Sequence, residues 1–285
     1  MTFTIRALKS YNEMLAVHKL QQEIWGLGDP TLGIYPPLMV TAAKNGGVVL
    51  GAFDVESGKM VAFLFSFMGR EGNGPYKLCS QTMGVLKEWR RYGIAEALKQ
   101  TQRQWAIAQG LPLITWTFDP LEGPNAHLNL HKLRGISRRY WADMYGSNFG
   151  AINAGLPTDR LLVEWWVEGA RLDAPAVMEI ADAPSVFETV GQGVEQKIET
   201  MSLDLNADNL WLETPADIHP LKAADMELAL DWRLKVRTAF ESYFERGYIA
   251  TGFASQVEAE SGQRHNRYLL QKATPELLDE IGMRD

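Results

Sequence analysis

The chain has 285 residues, of which 46% are hydrophobic and 22% charged, and a formal net charge of −7. That length fits one large or two medium domains, the apolar content implies a packed core, and the negative balance argues against sequence-independent nucleic-acid binding. A single cysteine, Cys79, excludes an internal disulfide and a multi-thiolate metal site.

No apolar run reaches the length that spans a bilayer, and the opening MTFTIRALKSY lacks the apolar core of a secretion signal. The expectation is a soluble, cytoplasmic protein with neither membrane nor nucleic acid as partner. Residues 4–8 read as a first strand. A helix over 11–25 carries Met14, Leu15, His18, Leu20 and Ile24 at helical spacing and stops at Gly26. The segment GLGDPTLGIYPP is a loop, 38–44 a second helix, and 48–55 with 59–68 a hairpin across Glu56-Ser57-Gly58. A strand over 76–86 runs into a basic turn. The helix after it, 93–109, presents Ile94, Ala97, Leu98, Thr101, Trp105 and Ala108 on one face, and Gly110 ends it. Residues 111–118 form a nearly all-apolar central strand, 125–133 a short helix, and 138–145 and 161–167 two further strands.

Residues 168–285 read as a second, smaller α/β lobe. Short strand-like pieces at 177–180, 197–205 and 209–213 precede a long helix over 223–246. Its apolar face is Ala229, Trp232, Val236, Phe240, Tyr243 and Phe244, and strands at 248–255 and 267–272 follow. Exposed aromatics on that helix would point to a homodimer.

The stretch VLKEWRRYGIAEAL, residues 85–98, concentrates the chemistry. Arg90, Gly93 and Ala95 fit the pattern [Q/R]-x-x-G-x-[G/A] between a strand and an amphipathic helix. Backbone N–H groups at a helix start, aligned peptide dipoles and a glycine that admits close approach together make an anion cradle. From 86 to 103, Lys87, Arg90, Arg91, Lys99 and Arg103 face only Glu88 and Glu96, a basic island in an acidic chain. No G-x-G-x-x-G follows a strand near the N-terminus, which argues against a dinucleotide oxidoreductase. His127 and His131 share H-x-x-x-H spacing, but Leu128 stands where a zinc protease needs glutamate, so no metal site is expected.

The serial order β-α-α-β-β-β-turn-α-β-α-β-β, with this turn in place, resembles the GNAT superfamily of acyl-CoA-dependent N-acyltransferases over residues 1–167. Trp25-Gly26, Gly51-Ala52-Phe53-Asp54, the run Trp116 to Leu121, Asn125-Ala126, Asn129, Leu133 and Pro157-Thr158-Asp159-Arg160 further resemble a bacterial subgroup of predicted acetyltransferases. The resemblance implies an α+β (mixed α/β) fold with a central mixed, splayed sheet flanked by helices. It implies acetyl-CoA or another acyl-CoA as cosubstrate and an amine, small molecule or amino acid, as acceptor. It assigns Met83 and Val85 to the pantetheine arm and the turn Arg90, Arg91, Tyr92, Gly93, Ile94 and Ala95 to the pyrophosphate. Asn125 and Asn129 fall where the family contacts the cofactor.

Acyl transfer needs a neutral amine, a stabilised oxyanion and a proton for the leaving thiolate. Many family members place a tyrosine donor in the short helix, where this chain has Leu130 and His131. His131, Tyr140 and Tyr145 are the substitutes. Asp119 is the candidate base, unless it only opens the Asp-Pro turn. Arg160 is the candidate for a substrate carboxylate, unless it pairs with Asp159 or Glu164. The acceptor is expected near Trp25, between the first helix, the loop at 26–37 and the segment 140–161. The competing reading is a non-catalytic CoA-binding or interaction protein.

Overall fold

The computed structural model describes residues 1–146, 155–174, 183–258, 262 and 264–283. The chain divides into two compact units, Met1–Trp116 and Thr117–Asp285.

The first unit runs β1 (Phe3–Ala7), α1 (Tyr11–Trp25), α2 (Pro36–Lys44), β2 (Val48–Asp54), β3 (Met60–Gly69), β4 (Lys77–Val85), α3 (Ile94–Ala108) and β5 (Leu113–Phe118), the strand in which the division falls. Strands β1 to β4 are antiparallel neighbours in chain order, and β5 joins β4 in parallel, so the sheet is mixed. Helix α1 begins where Ser10 Oγ accepts the Glu13 N–H and the Glu13 carboxylate accepts the Ser10 N–H, a capping box. It ends at Gly26, whose φ of 60° only glycine adopts at no cost. Met14, Val17 and Leu20 of α1 and Met39 of α2 bury against Val49, Phe63 and Phe65. Every residue from Val61 to Ser66 is buried, so both faces of β3 are covered.

Helix α3 is rotated from the face expected of it. Its buried residues are Ile94, Leu98, Lys99, Gln102 and Ala106, while Thr101 and Trp105 are half-buried and Ala108 is exposed. Counting only apolar side chains misplaced the face because Lys99 and Gln102 bond to each other inside it.

The second unit continues with α4 (Gly123–Ala126), which passes into a π-helical stretch, His127–Lys132. Next come β6 (Ile136–Trp141), β7 (Arg160–Trp166), β8 (Phe187–Val190), β9 (Lys197–Met201), β10 (Asn209–Thr214), α5 (Ile218–Ala224), α6 (Met226–Glu245), β11 (Tyr248–Val257), β12 (Arg264–Lys272) and α7 (Pro275–Ile281). Its sheet has the order β7-β6-β11-β12-β10, and β8 with β9 forms a separate hairpin.

This division differs from a boundary after residue 167. Strand β6 meets β11 at Ser137 and Ala250, so residues 136–166 share a sheet with residues 248–272. The shorter α5 was not expected, and the long helix expected over 223–246 is α6, which begins after Asp225 caps it by accepting the Leu228 N–H at 2.9 Å. Its aromatics face inward: Trp232, Phe240 and Tyr243 are buried. The strand expected at 177–180 lies outside the described residues. Among the described residues, no helix is long and apolar enough to cross a membrane.

Candidate functional site

Strands β4 and β5 pair only at one end. Lys77, Leu78 and Cys79 stand opposite Leu113, Ile114 and Thr115, and the ladder stops there although β4 continues to Val85. From Ser80 onward the β5-facing edge of β4 is open, which is the splay the sequence implied. At the same place β4 carries a bulge. Phe65 of β3 stands opposite Thr82 and Ser66 opposite Ser80, leaving Gln81 as the extra residue. Bulges of this kind re-aim backbone and side chain and gather beside functional sites.

Beyond Val85 the chain makes a short 3-10 turn over Lys87–Trp89 and then the cradle. Arg90, Arg91, Tyr92 and Gly93 are exposed. Arg91 has a φ of 71°, uncommon for a residue with a side chain, and Gly93 caps α3 at a φ of 78°. A Cβ at Gly93 would meet nothing within 4 Å, so the approach to the helix start is open. The first intrahelical bond joins the Ala97 N–H to the Gly93 carbonyl at 3.0 Å. Among the described residues no acceptor takes the N–H groups of Arg91, Tyr92, Gly93, Ile94 or Ala95, so five donors and the positive end of a 15-residue helix face outward together. Arg90 Nε donates to the Val85 carbonyl at 3.3 Å, which ties the turn to the end of β4. Of the basic island, Lys87 joins Arg90 and Arg91 on the surface, whereas Lys99 is buried.

Two other residues of this unit were expected at the site. Met83 sits opposite Leu64 on β4. Trp25 is half-buried and meets the Phe63 ring edge-on at 5.8 Å. An apolar cavity of about 470 Å³ opens beside the bulge, lined by Ile34, Tyr35, Leu38, Phe65, Phe67 and Gln81. It lies on the loop at 26–37 where the acceptor was expected.

In the second unit the chemistry is dominated by two carboxylates and one helix. Asp119 Oδ1 accepts the Leu121 N–H at 2.8 Å, the Asp-Pro turn foreseen as its alternative role. Both oxygens also take Arg233 of α6, Nη1 to Oδ1 at 2.8 Å and Nη2 to Oδ2 at 2.5 Å. Burial opposes the Arg233 charge, but the Asp119 charge and hydrogen bonds outweigh it and its pKa rises. Asp119 is thus a buried ion-pair partner with its lone pairs engaged, in place of the free base expected. Asp159, also buried, is held one turn along the same helix. Arg237 Nε donates to its Oδ2 at 2.8 Å and Nη2 to its Oδ1 at 2.7 Å. The Tyr140 hydroxyl donates to the same Oδ2 at 2.7 Å. Burial and then the Asp159 charge push the Tyr140 phenol well above its usual pKa, so the phenol keeps the proton it donates to that carboxylate.

Arg160 forms neither pairing weighed for it. Glu164 is taken by Arg138 at 3.0 Å and Asp159 by Arg237. The Arg160 guanidinium instead stands 3.9 Å from Asp119 and 5.5 Å from the centre of the Tyr145 ring, which is exposed. His131 stacks on His127 with ring centres 4.5 Å apart, and its Nδ1 is buried without a hydrogen-bond partner. Burial, then the Arg134 and Lys132 charges, lower its pKa, which disfavours the imidazolium. Asn125 is exposed inside α4, whose cap position is Glu122, while Asn129 and Leu130 are buried. Sequence reasoning missed Arg233, Arg237 and the buried Lys99. The arginines lie 114 and 78 residues from their partners, and no local pattern signals that separation.

No protein-family model matches the chain, and no curated protein matches it. Among solved structures it is similar to the NatC complex bound to Gag peptide and CoA, at 15% identity and a TM-score of 0.46 over 57% of this chain and 98% of that one. It is similar to NAA60 of Arabidopsis thaliana in complex with a bisubstrate analogue, at 15% identity and a TM-score of 0.45 over 58% and 98%. It is similar also to the ribosomal-protein-S18-alanine N-acetyltransferase from Escherichia coli, at 12% identity and a TM-score of 0.45 over 58% and 94%.

Proposed function

We propose that this chain is an acyl-CoA-dependent N-acyltransferase of the GNAT type, acting on a small amine or amino acid with an apolar group. The observation that carries the reading is the strand β4 itself: its edge is open past Cys79 and it leads directly into a turn with five outward N–H donors. An open strand edge takes the amide groups of a pantetheine arm as it would take another strand, and the turn and helix start take the pyrophosphate. Met83 and Val85 line the arm, and Arg90 and Arg91 add charge at the phosphates. The acceptor's apolar group occupies the cavity of Ile34, Tyr35, Leu38, Phe65 and Phe67, which places its amine beside the bulge. The amine nitrogen attacks the thioester carbonyl, the C–S bond breaks, the thiolate leaves and the amine's extra proton passes to solvent. Backbone donors at the bulge face the developing oxyanion. A thiol with a pKa of about 8.5 leaves without an obligatory acid near neutrality, so Leu130 in place of a tyrosine does not forbid the reaction.

The test is calorimetric titration with CoA, then acetyl-CoA and succinyl-CoA offered across a panel of amino acids and apolar amines while thiol release is followed. Arg91→Glu combined with Gly93→Pro reverses one charge and removes one donor at the helix start, and should weaken CoA binding about a hundredfold or more. Unchanged affinity in a folded variant refutes the cradle. The engagement of Asp119 by Arg233 and the apolar Leu130 favour a second reading, a protein that binds CoA without turning it over. CoA binding with no thiol release from any acceptor would select it.

A further inference from the structure

Lys99 is the one buried lysine among the described residues, and no carboxylate pairs with it. Its Nζ donates to Ser80 Oγ at 2.9 Å and to Gln102 Oε1 at 3.3 Å, and stands 3.5 Å from the centre of the Trp116 ring. An ammonium has three N–H groups, and here each has a neutral partner: a hydroxyl, an amide oxygen and an aromatic face. The positions of those partners matter more than their number. The last paired residues of β4 and β5 are Cys79 and Thr115, so Ser80 and Trp116 are the first residue on each strand beyond the pairing. The amine therefore sits in the crotch of the fork and touches both arms.

Strands that part leave unmade backbone hydrogen bonds, and zipping further would recover them. Something must make closure worse than opening. The Lys99 Nζ, bonded to the Ser80 hydroxyl and set over the Trp116 ring, engages both side chains at the point where further pairing would begin, and the bulge at Gln81 directly after Ser80 interrupts the regular pleat of β4 there. We propose that Lys99 is a positioning residue that holds the β4–β5 fork open and thereby shapes the groove for the pantetheine arm. This rests on the acyl-CoA reading above. Burial lowers the Lys99 pKa well below the usual lysine value.

The fork and the anion turn are separable, and the experiment exploits that. Lys99→Met keeps the stem and removes the donors, and Ser80→Ala removes one arm of the contact with little change of volume. Each full-length variant is titrated with CoA and with the phosphoadenosine diphosphate half of CoA, which has the pyrophosphate but no pantetheine. The expected result is a loss of CoA affinity of about tenfold for Lys99→Met and about threefold for Ser80→Ala, with the nucleotide half bound within about twofold of the parent. A variant that loses affinity equally for both ligands, or that melts cooperatively yet binds CoA like the parent, overturns the inference. A parent chain that binds neither ligand overturns the acyl-CoA reading, and the inference with it.

Discussion

Removing Arg233 should unfold the second unit more readily than any surface change, and the amount follows from its surroundings. Arg233 is 1% exposed and Asp119 7%, and they share two short hydrogen bonds. Taking away one member of such a pair leaves a buried charge uncompensated, which costs about 3–5 kcal/mol. Asp119 keeps the Leu121 N–H and has Arg160 at 3.9 Å, so the lower end applies. At about 2–4 °C per kcal/mol for a unit of this size, Arg233→Met should melt roughly 6–12 °C below the parent. The pair itself is a different matter, because two desolvated charges give back little more than they cost. Asp119→Asn keeps the turn by still accepting the Leu121 N–H, and combined with Arg233→Met it should recover at least about 2 kcal/mol of the single variant's loss. Urea and thermal unfolding of the parent, both single variants and the double variant complete the cycle. A loss below about 1 kcal/mol in Arg233→Met, or a double variant no more stable than the worse single, refutes the account.

The capping box of α1 makes a pH prediction. The N–H groups of Ser10 and Lys9, then Arg6, hold the Glu13 carboxyl at a pKa of about 2, against 4.5 ordinarily. A pKa lowered by folding adds stability that is complete above 4.5 and is lost as pH falls toward 2. The melting difference between parent and Glu13→Gln should therefore be largest near neutrality and close between pH 4.5 and 2; a constant difference refutes it. At Gly169 an added Cβ would lie 2.1 Å from the Ile281 carbonyl oxygen at the end of α7. Gly169→Ala should cost about 1–3 kcal/mol and speed amide exchange in Pro275–Ile281, and unchanged protection there would count against the packing described.

Most elements were legible because their boundaries are written locally. Ser10 and Gly26 bracket α1, Gly93 and Gly110 bracket α3, and the strands on either side alternate or run apolar as buried strands must. The turn after β4 and the start of α3 were legible for the same reason, since a glycine and two arginines mark them at adjacent positions. What escaped is what depends on distant residues. Asp119 looked like a free carboxylate until α6 brought Arg233 to it. Lys99 looked like part of a surface island because a lysine in a window of basic residues carries no mark of its burial. Helix α5 was missed and α6 was started at 223 rather than at Met226, because Asp225 both ends the one helix and caps the other.

The two arginines of α6 also set a clock. Asp119 leaves the ribosome 114 residues before Arg233, which at about 5–20 residues per second is roughly 6–23 seconds. Throughout that interval the nascent chain carries Asp119, and in its later part Asp159 as well, before the counterion of either has been made. Neither carboxylate can therefore reach its paired, buried state until α6 has been made, so the last third of the chain completes the interior of the middle third.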